Sequence, residues 1–331
     1  MEPPKVKYNR ELYEHIRNMR RDRKSYMMCE LDLLGQGAAG TTYTAYVKPR
    51  EKFPDPVVLK EQKRNRFCLN EFEALKYLRE QMTAGKFPGY FIYMYGCFTS
   101  GDKKYIILEK ADKNLDDYFA DYNINTKTYL RIFYHIAKAV SYLEAVEFNH
   151  GDLWSENVML TWHPEQEDVP EEEKDYNIKI IDFDSAFKPK TQITNPSLGG
   201  ADKFRKKFIL GYDLNRFFDS LIFSYESYIK KKRQHKKAKI VRLRKLKKQG
   251  KKVRIPSMDE EDESDQEYDL ENIIYPQEII DFMYQLGPSD PNVFDDCPDM
   301  SGKAVIKMIE EYSTQLGINL ETESDYEDSE E

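Results

Sequence analysis

Long apolar runs are missing from this chain of 331 residues. The longest, such as residues 90–98, fall well short of the roughly 20 apolar residues a helix needs to span a bilayer. No N-terminal stretch has the basic, apolar and small-residue order of a signal peptide. Cysteine is scarce as well. Cys29, Cys68, Cys97 and Cys297 stand far apart without a CxxC pair. That spacing offers neither a disulfide framework nor a zinc site, and it suits a reducing compartment. The expectation is an intracellular protein, cytoplasmic or nuclear, with no membrane partner, and a monomer.

What the chain has is length and unevenly placed charge. A chain of this size buries a large core and divides into two lobes or domains. Hydrophobic residues make up 40% and charged residues 33%, above the usual charged fraction. The stretch His150-Gly151-Asp152-Leu153-Trp154-Ser155-Glu156-Asn157-Val158 stands out because an aspartate precedes an asparagine by five places between two apolar runs. It is built like a phosphoryl-transfer loop, with Asp152 to accept the proton of an attacking hydroxyl and Asn157 to turn back onto a magnesium ion. Further on, Ile180-Ile181-Asp182-Phe183-Asp184 offers a second carboxylate at the end of an expected strand. Order and spacing agree in both motifs, and that agreement is far more specific than a lone HxD.

Along the chain, residues 1–26 are polar and basic, with a short helical pattern around Leu12, Ile16 and Met19; they read as a solvated arm or a packing extension. Gly35, Gly37 and Gly40 form GxGxxG, which brings backbone N–H groups up to a phosphate with no side chain between. A dinucleotide-binding fold uses the same glycines but follows them with a helix. The β-branched and aromatic run from Thr41 to Val47 predicts a second strand instead. Pro56-Val57-Val58-Leu59-Lys60-Glu61 then reads as a strand ending in a lysine, which is either aimed at phosphates or an ordinary exposed strand end. Glu71, Leu75 and Leu78 share a face of the next helix, expected over 69–81, so Glu71 is placed to pair with Lys60. Two strands follow, over 91–98 and 104–109, and then the connector Glu109-Lys110-Ala111, whose backbone can bond an adenine edge. Beyond it come a short helix over 115–122, a long one over 127–147, and strands over 158–162 and 177–181. The acidic stretch 163–175 between those strands reads as a solvated loop.

The order GxGxxG, VVLK, a helix glutamate, HGDLWSEN and IDFD resembles the eukaryotic-type protein kinase fold from about residue 29 to about 225. The resemblance implies an α+β, two-lobed architecture. A small antiparallel β-sheet lobe with one helix would occupy 27–111, and a larger, mainly helical lobe would occupy 112–320. It also implies ATP and magnesium (Mg2+) as cofactors. Lys60 would orient the first phosphates with Glu71 as its partner, Asp152 would be the catalytic base, and Asn157 and Asp182 would be the magnesium ligands. Leu34, Gly35, Gly37, Gly40, Thr42, Val58, Leu108, Glu109 and Ala111 would surround the nucleotide, with Leu108 at the back of the adenine pocket. Asp213 resembles the buried helix aspartate that braces the catalytic loop. The departures are Gly151 for an arginine, Trp154 for a lysine, Asp184 for the glycine of DFG, and no APE sequence before Asp213. This pattern resembles divergent kinases such as the haspin-like kinases and those of large DNA viruses; a viral source would put the protein in the virion or host cytoplasm.

Residues 230–254, from Lys230 to Arg254, carry roughly fifteen Lys or Arg and no acid, and 259–269 reverse the sign. The block 229–269 cannot enter a packed core, so it reads as an exposed helix or a disordered excursion within the helical lobe. It is either a loop neutralised by its own acidic neighbour or a surface for an anionic partner or nucleic acid. Few aromatics are interleaved, which argues against stacking on single strands. The acidic tail 321–331 reads as disordered. The function expected is a protein kinase, serine/threonine-specific, acting on a protein substrate. HGDLW also resembles kinases of aminoglycosides, choline and fructosamines, so a small-molecule acceptor stays open. A non-catalytic scaffold that binds through the basic block is the third reading.

Overall fold

The computed structural model describes residues 9–21, 28–36, 40–48, 53, 55–62, 66–100, 103–121, 124–162, 176–194, 208–248, 275–286 and 300–320. Gly37, the acidic stretch 163–175, the acidic part of the insert and the tail 321–331 lie outside the described residues.

Helix α1 (Arg10–Arg21) starts at Asn9, whose side chain accepts from the Leu12 N–H at 2.8 Å. It lies along the strand Met94–Ser100 of the first sheet, and its apolar pair Leu12 and Ile16 enters the core. That sheet is built from β1 (Met28–Gln36), β2 (Gly40–Val47), β3 (Val57–Gln62), β4 (Met94–Ser100) and β5 (Lys103–Glu109). Its order is β1-β2-β3-β5-β4, with every neighbouring pair antiparallel. The glycines lead into a strand and not a helix, which removes the dinucleotide-binding alternative. Helix α2 (Arg66–Thr83) is longer than the apolar spacing alone predicts and packs its Ala74, Leu75 and Leu78 face inward.

Gly40 is dictated by this sheet as much as by any ligand. A Cβ built there would run into the carbonyl of Glu61 on β3. Gly40→Ala is therefore expected to lower unfolding stability by about 1–3 kcal/mol through overpacking, read from urea unfolding, whereas the same change at Gly35, where a Cβ meets nothing, should cost less.

The second lobe begins with β6 (Lys113–Asn114) and α3 (Leu115–Asp121), followed by α4 (Thr126–Glu144). Asn125 caps α4 by accepting from the Thr128 N–H at 2.9 Å. Strands β7 (Val158–Trp162) and β8 (Tyr176–Ile180) join β6 in a three-stranded sheet. Helices α5 (Tyr212–Lys248), α6 (Gln277–Gln285) and α7 (Gly302–Gln315) complete the lobe. The α4 stripe of Ile132, Ile136, Val140 and Leu143 is core, as its period implies. Phe133 on α4 meets Phe218 of α5 edge-on, at 5.1 Å between ring centroids, and stacks on Phe282 of α6 at 6.4 Å. Aromatic contacts of this kind hold the three helices together. The bilobal arrangement of a β-sheet lobe with a helix and a mostly helical lobe is thus as the motif order implies.

The basic run is no separate excursion where it is described. It continues the lobe helix without a break, because no glycine or proline occurs between Tyr212 and Lys248 and Lys, Arg and Leu are good helix formers. Among the described residues, no helix is long and apolar enough to cross a membrane.

Candidate active site

Between the lobes, β3 presents Lys60 with Thr42 and Ile106 as its cross-strand neighbours. The ammonium lies 2.6 Å from Oε1 of Glu71 on α2 and 2.8 Å from Oδ1 of Asp182, just beyond β8. Burial works against the charged lysine, but the two carboxylates outweigh it and hold Lys60 above the ordinary lysine range. Glu71 is buried, which pushes its carboxyl up while the ammonium pulls it back. The Gln62 amide donates weakly to its other oxygen at 3.5 Å. Asp182 holds a left-handed backbone, φ 59° and ψ 70°, uncommon for a residue with a side chain. That turn, in which Ile181 N–H donates to the Asn157 carbonyl at 3.0 Å, follows directly on β8 and precedes Phe183 in the core.

The loop around Asp152 is held mainly through its backbone. Asp213, buried in the first turn of α5, accepts from the N–H groups of His150 at 2.8 Å and Gly151 at 2.9 Å. Burial pushes its carboxyl up, and these donors hold it back. The His150 ring contacts the Ile181 carbonyl through Nε2 at 2.8 Å and the Asp152 N–H through Nδ1 at 3.3 Å. A carbonyl only accepts and an amide only donates, so these two partners call for a proton on Nε2 and leave Nδ1 to accept. Gly151 takes φ 84°, a conformation that only glycine adopts without strain.

Asn157 donates its amide to the Asp152 carbonyl at 2.8 Å, which leaves Oδ1 without a hydrogen bond among the described residues. An asparagine oxygen and the second oxygen of Asp182 are hard donors suited to magnesium. Among the described residues no three His, Cys, Asp or Glu side chains form a metal cage. A magnesium ion bound largely by phosphates and water needs none. The donor set therefore fits the cofactor that the motifs imply.

The nucleotide-pocket residues are less uniformly placed. Leu34 is exposed on β1, Thr42 and Val58 are half-buried in adjacent strands, and Leu108 and Ala111 are buried. Glu109 N–H donates to the Tyr93 carbonyl at 2.9 Å, and its side chain forms a buried pair with Lys179 of β8 at 2.7 Å. Burial pushes the Glu109 carboxyl up and Lys179 counters it.

Two residues escaped the sequence reading. Asn70, beside Glu71 and 4% exposed, donates to the carbonyls of Asp184 and Ala186, each at 2.8 Å, and accepts from the Thr194 N–H at 2.7 Å. Arg216 of α5 places Nη2 3.1 Å from Oδ1 of Asp152. No motif marks Asn70. Arg216 was legible only through Asp213, three residues earlier on the same helical face.

Compared with known families, residues 29–207, more than half of the chain, match the protein kinase domain. The chain is similar to homeodomain-interacting protein kinase 1 of Caenorhabditis elegans, with 25% identity over 132 residues, which is 39% of this chain and 15% of that protein.

Proposed function

Because this chain belongs to the protein kinase domain family, we propose that it is an ATP- and magnesium-dependent protein kinase acting on serine or threonine hydroxyls. The observation that carries the reading is the closed set of Lys60, Glu71 and Asp182, joined at 2.6 and 2.8 Å across the two lobes. Lys60 steadies the leading phosphates, and Glu71 keeps the ammonium in place. Asp182 and Asn157 would hold magnesium, which when bound would neutralise charge on the phosphates. Asp152 accepts the proton of the acceptor hydroxyl as its oxygen bonds to the γ-phosphorus and ADP departs. Positioning and electrostatics provide most of the rate. Leu34, Gly35, Gly37, Gly40, Thr42, Val58, Leu108, Glu109 and Ala111 form the nucleotide pocket in this reading. Gly151, Trp154 and Asp184 support a divergent member, of the haspin-like or large-DNA-virus kind. The test is transfer from γ-labelled ATP to protein acceptors, set beside sugar and amine acceptors. Label on protein serine or threonine is expected; label confined to the small acceptors would overturn the reading in favour of a small-molecule kinase.

The basic end of α5 supports an anionic partner beside the protein substrate. Twelve of the 19 residues from Lys230 to Lys248 are Lys or Arg, on about 28 Å of continuous helix. Ile240 is buried, so charge changes are a cleaner probe than deletion. Changing Arg244, Lys245, Lys247 and Lys248 together to Glu should weaken binding to duplex nucleic acid at low salt, with the difference shrinking as salt rises. Peptide phosphorylation should stay within about twofold of the unmodified protein. Filter binding across a salt series, run beside the peptide assay, checks both.

A further inference from the structure

The segment from His150 to Asn157 contains no lysine or arginine, although it carries the carboxylate at which a proton is to be taken. Lys60 is committed to Glu71 and Asp182. The cation at Asp152 comes instead from α5, where Arg216 reaches Oδ1 at 3.1 Å. The indole Nε1 of Trp154 donates to the same oxygen. The guanidinium carbon of Arg216 also sits 4.8 Å from the centre of the Trp154 ring, so the two donors brace each other. Oδ2 of Asp152 receives no hydrogen bond among the described residues.

The arrangement follows from one helix end. Asp213 grips the backbone of His150 and Gly151, and Arg216, one turn further on the same face, reaches the side chain of the next residue. We propose that Arg216 and Trp154 form a two-donor clamp that fixes the Asp152 carboxylate by Oδ1 and presents Oδ2 to the acceptor hydroxyl. Arg216 is then a positioning residue for the base, supplied from outside the loop. A carboxylate held by one oxygen keeps its free oxygen on one bearing, and general-base transfer needs a heavy-atom separation of about 2.6–3.2 Å to the proton donor. Arg216 is 39% and Asp152 38% exposed at the side chain, so without the clamp the carboxylate would rotate in contact with water.

The inference rests on the kinase reading, and a double-mutant cycle separates the two. Arg216→Ala should lower kcat about tenfold to a hundredfold, the range expected for losing a charge-assisted hydrogen bond, with the KM for ATP within about twofold. Trp154→Phe keeps the ring under the guanidinium but removes the N–H, and should lower kcat by a smaller factor. Guanidine added to Arg216→Ala should restore part of the lost rate, and Arg216→Lys should lie between the two. In an Asp152→Asn background, whose residual rate is followed in single turnovers, Arg216→Ala should change the rate by less than about twofold because the group it positions is gone. Thermal melts of every variant identify any that fails to fold, and Trp154→Phe and Arg216→Lys then carry the test. A kcat unaffected by Arg216→Ala, or one reduced by the same factor in both backgrounds, would overturn the clamp while leaving the kinase intact. No transfer from ATP by the unmodified protein would remove both.

Discussion

Lys60→Met and Asp182→Asn should each lower phosphoryl transfer by roughly a hundredfold or more, about 2.7 kcal/mol of barrier, with the chain still folded. The two residues meet at 2.8 Å although 122 positions separate them. In the proposed mechanism each substitution removes a charge that acts on the transferring phosphates, Lys60 directly and Asp182 through the metal it would hold. Asp182→Asn is nearly isosteric, and its left-handed backbone suits asparagine as well as aspartate, so its effect should fall on kcat with little change in melting temperature. Lys60→Met differs because it strips the buried Glu71 of its cation. Burial already pushes that carboxyl up, so Glu71 would take a proton rather than stand charged and unpaired, which limits the loss of stability. Turnover measured beside thermal melts of both variants is the check. Near-normal turnover in both would show that the site has been placed wrongly.

Asn70→Ala should lower turnover by about tenfold or more, roughly 1.4 kcal/mol of barrier, and reduce stability by about 2–3 kcal/mol. One amide holds the segment after Asp182 at Asp184 and Ala186 and again at Thr194, on the helix that carries Glu71. Removing it leaves two carbonyls and one N–H short of a partner, and it loosens the segment that aims Asp182 at Lys60. Asn70→Asp keeps the acceptor for Thr194 but sets a carboxylate against two carbonyls, so it should be at least as damaging. The same strut is expected to keep residues 184–194 in place without a phosphate; Ser197 lies outside the described residues. Gly151 offers no side chain to recruit one, and the Thr191 hydroxyl is already engaged, donating to the Lys188 carbonyl at 2.9 Å. Phosphate-free protein with Thr191, Thr194 and Ser197 changed to Ala should therefore retain turnover within about tenfold on an unmodified substrate. A larger loss, restored by a phosphomimetic at one of the three positions, would refute phosphate-independent activity. Asn70→Ala should reduce turnover in that background too.

Local pattern carried much of this molecule. The strand-turn-strand over the glycines, the inward face of α2 with Glu71, and the β7–β8 pair around the acidic stretch all follow from periods of two and 3.6 residues. Asp152, Asn157 and Asp182 were legible because short spacings place them at the ends of apolar strands or in the loop between them. The reach of α5 was partly legible, since nothing between Tyr212 and Lys248 breaks a helix. Charge pattern nevertheless suggested a boundary near Lys230, because composition reports solubility and not where backbone hydrogen bonding stops.

Other contacts were decided only when the elements packed. Asn70 meets Asp184 across 114 positions and Arg216 meets Asp152 across 64, and neither residue belongs to a repeating pattern. Lys179 and Glu109 form their buried pair where the end of β8 runs beside residues 90–92, with Ile180 bridged to Phe91. Spacing along a chain determines the backbone state and the face on which a side chain stands. Which distant faces meet depends on the angle and depth at which whole elements pack, a collective result of filling the core.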